Sequence, residues 1–157
     1  MRMRQRIPLG IFAFAFDEIG TAAIEFGVVA AFLCFLLLGS IDFGMGYWEH
    51  IQVGNAARAG GEYAIIKGWS QSGITTAVTS ATGLSSIVAT PAPAQTCGCP
   101  STSAGVIAAT CGSSCTGGGT AGTYVTVNAQ ASYSTLFTYP GIANPLTLTA
   151  RVTVRIN

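Results

Sequence analysis

Between Lys67 and Arg151 the sequence has no Asp, Glu, Lys or Arg at all. Across the 157 residues, charged side chains make up 8%, against about 25% in an ordinary soluble domain. There is one histidine, His50, and no acid after Glu62. This scarcity excludes a good deal. A net charge of +1 leaves no basic footprint, so nucleic acid is not expected as a partner. A long stretch without these ionisable groups offers no general acid or base, and no serine has a base near it in sequence. The chain is therefore expected not to be an enzyme, and no catalytic residue, metal ligand or cofactor is assigned. His50, next to Glu49, reads as a solvated helix residue rather than half of a metal site. The surface of residues 68–150 must be covered by Ser, Thr, Asn, Gln and Gly instead.

What the sequence does have is a long apolar run. From Phe26 to Ile41 no residue is charged. Counting from Thr21 gives 21 residues, about 31 Å of helix at ~1.5 Å per residue. That matches a hydrocarbon core of about 30 Å, so a single helix can cross a bilayer. Glu25 lies inside this helix, and a carboxylate there is costly enough to call for a partner. Arg2, Arg4 and Arg6 on the near flank put the N-terminus in the cytoplasm. A secretory signal peptide fits less well, because Asp17-Glu-Ile-Gly20 stands where an Ala-x-Ala-like cleavage site belongs.

Helical spacing continues past Asp42. Ile41, Met45, Trp48, Gln52, Ala56, Ala59, Tyr63 and Ile66 recur every three or four residues, which predicts an apolar stripe. Asp42, Glu49, Glu62 and Lys67 lie mostly off it. Tyr47 and Trp48 follow the apolar end, where aromatic side chains favour the membrane interface. An unbroken helix from Thr21 to Ile66 is expected, 46 residues and about 69 Å long. Ser72–Ser80 reads as a short helix with Ile74, Val78 and Ala81 on one face, and Leu84–Thr90 as a strand. Residues 95–122 read as loop, with Gly117-Gly-Gly119 as its most flexible point; the run lacks the Gly-Lys-[Ser/Thr] of a phosphate-binding loop.

Four cysteines lie in that loop: Cys97, Cys99, Cys111 and Cys115. An even number close together, beyond the membrane, predicts two disulfides. A four-thiolate metal site is the rival, but Cys97-Gly-Cys99 is too short for the usual knuckle. Pairing 97 with 99 would close a strained ring. Two connectivities stay open: 97–111 with 99–115, or 97–115 with 99–111. Cys34, in the span, behaves as a small apolar residue. Beyond the loop, Tyr124–Ser134 and Leu146–Ile156 alternate strictly, with Val125, Val127, Ala129, Ala131 and Tyr133 on one face of the first. They flank Tyr139-Pro-Gly141, which fits a type II turn, and form an antiparallel pair packed on the long helix. Arg151 and Arg155 project from the opposite face.

The residues Gly20, Glu25 and Phe26 with the apolar run behind them resemble the processing site of type IV pilin-like proteins. Ile41-Asp-Phe-Gly-Met-Gly-Tyr-Trp48 and Asn55-Ala56-Ala57-Arg58-Ala59-Gly60 resemble the TadE-like family, minor pseudopilins of Tad (Flp) type IV pilus systems. The resemblance implies an α+β, pilin-like fold: one long N-terminal helix, membrane-spanning in its first half, packed on a small antiparallel sheet with a disulfide-bearing loop. It implies a leader over 1–20, a span over 21–41, an amphipathic continuation over 42–67 and a β-rich outer domain over 68–157. A prepilin peptidase would cut between Gly20 and Thr21, with Glu25 and Phe26 setting assembly register. The implied partners are inner-membrane lipid, the peptidase, other Tad pseudopilins, the major Flp pilin and the assembly platform. The chain would cross the inner membrane once, with its C-terminal domain periplasmic. Two alternatives stand beside this one: an uncleaved single-pass membrane protein with a disulfide-stabilised outer domain, and a cysteine-based redox or metal module.

Overall fold

The computed structural model describes residues 15–156, with side chains described from Gly20. Residues 1–14, which hold most of the expected leader and its three arginines, lie outside the described residues. The chain divides into two compact units, Met1–Asp42 and Phe43–Asn157. Helix α1, Ala15–Lys67, contributes to both.

In the first unit nearly every described residue from Gly20 to Ile41 is exposed, including Phe26, Phe32, Phe35 and Leu37. The segment contains no proline. Its one interior hydroxyl, Ser40 Oγ, donates to the Leu36 carbonyl at 2.8 Å, the way a helix satisfies a polar group that lipid cannot. Asp42, expected off the packing face, is instead 1% exposed.

The second unit is α1 from Phe43 onward, a short helix and a four-stranded sheet. Helix α1 ends where Gly68 turns left-handed (φ +80°) and its N–H caps the Ala64 carbonyl at 3.1 Å. Helix α2, Gln71–Ser80, starts at Ser70, whose hydroxyl accepts from the Gly73 N–H at 3.3 Å. Its hydroxyl-rich sequence stays helical because Thr75, Thr76, Thr79 and Ser80 bond back to carbonyls four residues earlier. Ile74 and Val78 are buried as expected, whereas Ala81 is exposed.

The strands are β1 Ala94–Ser101, β2 Gly105–Ala108, β3 Gly122–Tyr133 and β4 Leu146–Ile156. They are antiparallel in the order β2-β1-β3-β4. Strands β3 and β4 pair along their whole alternating length, from Thr123↔Ile156 to Tyr133↔Leu146. The inward residues Val125, Val127, Ala129, Ala131, Leu148 and Ile156 are buried, and Arg151 and Arg155 are exposed. The connecting turn is as read from sequence: Ile142 N–H donates to the Tyr139 carbonyl at 3.2 Å, and Gly141 has φ +83°.

Three expectations are corrected. Residues 95–122 are not loop throughout, since they contain most of β1 and all of β2. Cys97-Gly-Cys-Pro100 has neither alternation nor strand propensity, and its order comes from pairing with β3 through Cys97 and Gly98 and with β2 through Cys99 and Pro100. Conversely, 84–90 forms no strand; it makes one bridge, Val88↔Gln130, with paired bonds of 2.8 and 2.9 Å. The third correction concerns the face of α1. Of the expected stripe only Ala56 is fully buried, while Met45, Trp48 and Ile66 are exposed. The seam that packs on the sheet is Val53, Ala56, Ala57, Gly60, Gly61 and Ala64. A methyl group at Gly60 would lie 2.6 Å from Val78 and 2.7 Å from Val127. One at Gly61 would lie 3.1 Å from Val152 and 3.2 Å from Val154. The valines come so close that only small helix residues fit beneath them.

Candidate anchor and assembly region of helix α1

Gly20, Thr21, Glu25 and Phe26 all lie on exposed helical turns of α1. Thr21 and Glu25 are four residues apart, the spacing at which helix side chains meet. Nothing stands within 4 Å of the Cα substituent position at Gly20, so its peptide is not screened by other elements of the described structure. Phe26 is 74% exposed at the head of the apolar segment.

The Asn55–Gly60 motif splits into two roles. Ala56, Ala57 and Gly60 belong to the buried seam, Ala59 is half-buried, and Asn55 and Arg58 are exposed. Half of that motif is therefore explained by packing against β3, β4 and α2, a role the sequence reading did not give it. The adjacent pair Glu49 and His50 is likewise separated: Glu49 Oε1 accepts from Ser86 Oγ at 3.1 Å, while His50 is exposed.

The cysteines resolve the open connectivity as Cys97–Cys111 and Cys99–Cys115, with Cα separations of 5.1 and 5.7 Å. Cys97 and Cys99 are two residues apart on β1 and so leave it on one face. Both bonds fasten residues 110–121 to that face. That segment is itself ordered by Ala109 N–H on the Cys97 carbonyl at 3.0 Å and Ala121 N–H on the Ser113 carbonyl at 2.8 Å. The Gly117–Gly119 run, expected as a flexible point, makes a turn in which the Cys115 and Gly119 backbones bond at 3.0 Å. Cys34 remains a free, exposed thiol. With four thiols in disulfides, the described residues contain no group of three or more His, Cys, Asp or Glu able to hold a metal.

These features define a class: a chain with one N-terminal helix long and apolar enough to cross a membrane, packed in its second half on a small disulfide-stapled antiparallel sheet. Within that class the family is given by sequence. Residues 20–62 match the model of the family described as TadE-like protein. That segment is therefore similar to the TadE-like family. The match opens on Gly20 and runs through Glu62, so it includes the apolar segment and the small-residue seam as far as Gly61. No curated protein matches the chain, and no solved structure matches it.

Proposed function

We propose that the chain is a minor pseudopilin, a structural subunit used in assembling a Tad (Flp) type IV pilus, and not an enzyme. The observation that carries this reading is the family match beginning at Gly20, on a helix whose next 21 residues are nearly all exposed and carry Glu25 as their single charge. A prepilin peptidase cuts between Gly20 and Thr21. The new Thr21 ammonium is one turn from Glu25 and adds to the positive end of the helix dipole. Glu25 then pairs with the terminus of a neighbouring subunit and fixes axial register, with Phe26 beside it. Before cleavage the N-terminus is cytoplasmic; the helix crosses the inner membrane once and the sheet domain is periplasmic. The partners are the peptidase, other Tad pseudopilins, the major Flp pilin and the assembly platform.

The test is Glu25→Gln in the native host. The amide keeps the side chain's shape, so the protein still reaches the membrane and is still cut. Cross-linking to partner pseudopilins and pilus counts both fall; normal values in both contradict the assembly role of Glu25. A second reading, an uncleaved single-pass anchor, draws on the helix running without a break from Ala15 through Gly20. It predicts that no shortened form of the protein exists in the cell.

A further inference from the structure

The loop between β3 and β4, residues 134–145, reads Ser-Thr-Leu-Phe-Thr-Tyr-Pro-Gly-Ile-Ala-Asn-Pro and has no Asp, Glu, Lys, Arg or His. It keeps its apolar side chains outward: Leu136 is 59% exposed and Phe137 46%, with Ile142 and then Leu146 also exposed. The loop is held in shape by its own bonds. Thr135 Oγ1 donates to the Phe137 carbonyl at 2.7 Å, Asn144 Nδ2 reaches the Thr135 carbonyl at 3.5 Å, and the Tyr139 turn closes the tip.

Its location is equally specific. The Tyr139 ring lies 5.3 Å from the Phe43 ring, and the Tyr133 ring is 3.1 Å from where a methyl at Gly46 would stand. The loop therefore flanks the first turn of the second unit's helix. Phe43 is two residues after Ile41, the last residue of the apolar run, a rise of about 3 Å along the helix. On that same turn and the next, Phe43, Tyr47 and Trp48 are exposed. Apolar patches of this kind on a soluble surface mark an interaction site, and aromatic side chains concentrate at the membrane–water boundary.

We infer that the β3–β4 loop is a second membrane contact, with Leu136, Phe137 and Ile142 entering the headgroup–acyl boundary of the bilayer that residues 21–41 cross. This rests on the membrane-anchor reading of α1. Lipid is the occupant because the patch shares its surface with Phe43, Tyr47 and Trp48, aromatic side chains that follow the apolar run within seven residues in sequence. The contact ties the sheet domain to the bilayer at two points instead of one.

The test uses the full chain in phosphatidylcholine–phosphatidylglycerol vesicles, kept oxidised so that both disulfides persist. An NBD fluorophore is placed at Thr138→Cys or at Thr76→Cys, each with Cys34→Ser, or on native Cys34. Thr76 is the water-side control, because α2 packs at Tyr63, 20 residues or about 30 Å along α1 from Phe43. Lipids with a shallow doxyl group should reduce emission at 138, and lipids with a deep doxyl group emission at 34, while neither should affect 76. Adding Phe137→Ser and Ile142→Ser, both exposed and so not needed for folding, should restore emission at 138. Quenching at 34 without quenching at 138 overturns the inference and leaves the anchor. Shielding of 138 from iodide without lipid quenching also overturns it, because a protein or a second copy then covers the loop. No quenching at 34 removes the anchor and this contact with it.

Discussion

Gly27 and Gly60 stand in the same helix, yet a methyl group added to each would meet opposite surroundings. At Gly27 there is nothing within 4 Å, whereas at Gly60 Val78 and Val127 lie at 2.6 and 2.7 Å. Between residues 21 and 41 the helix carries bulky side chains, and almost none is covered by the rest of the chain. Between 43 and 67 its covered face is made of Val53, Ala56, Ala57, Gly60, Gly61 and Ala64. Large apolar residues thus fill the part of the helix that the described chain leaves uncovered, and mostly small ones form the face that it covers. Hydrophobicity alone does not tell the two apart; side-chain size does.

Paired substitutions sharpen that contrast. The largest effect is expected at the disulfides. Replacing Cys97 and Cys111 together by Ser opens a bond closing a sequence separation of 14 and should lower unfolding free energy by about 3 kcal/mol. Cys34→Ser in the apolar segment should leave the urea midpoint unchanged. Alkylation of the unfolded, unreduced protein provides the check: Cys34 alone should react, and four further thiols would contradict both bonds.

Next comes the seam. Gly60→Ala should destabilise by about 1–3 kcal/mol, because valines of β3 and α2 must move aside. Gly27→Ala, with the same added methyl, should not lower the midpoint, since it meets no neighbour and gains helix propensity. Equal midpoints for the two variants, measured by urea titration in detergent, would break the comparison. A smaller effect marks the helix end: Gly68→Ala should cost about 1 kcal/mol, because a residue with a Cβ resists the left-handed cap.

The same contrast explains what was legible in the sequence. Strands β3 and β4 were readable because Val, Thr and Leu alternate over eleven residues and one side of the pair is buried. The turn at Pro140-Gly141 was readable because its backbone angles demand those residue types. The long apolar helix was readable from length and lack of charge. The packing face of α1 was not, because the helical periodicity of Ile41, Met45, Trp48, Tyr63 and Ile66 runs along another face, and the sheet packs on the small residues. Strand β1 was hidden because Cys-Gly-Cys-Pro acquires its order from pairing with β2 and β3 and from two cross-links, none of which its own sequence signals. At the candidate site, Gly20 and Glu25 stood out as anomalies in an apolar context. By contrast, the outward apolar loop at 136–142 carried no periodic signature and became visible only beside Phe43. A signal for that face was present in Gly60 and Gly61, since adjacent glycines flanked by alanines ask for a close neighbour.

The central claim, that this is a processed pilin-like subunit, is tested most directly by intact-mass measurement of the protein from its native host. Cleavage between Gly20 and Thr21 leaves 157 − 20 = 137 residues. The loss of Arg2, Arg4, Arg6, Asp17 and Glu18 takes Lys+Arg from 7 to 4 and Asp+Glu from 6 to 4. The account predicts a species of that mass, carrying both disulfides and beginning at Thr21. Finding the leader retained in every species would contradict it.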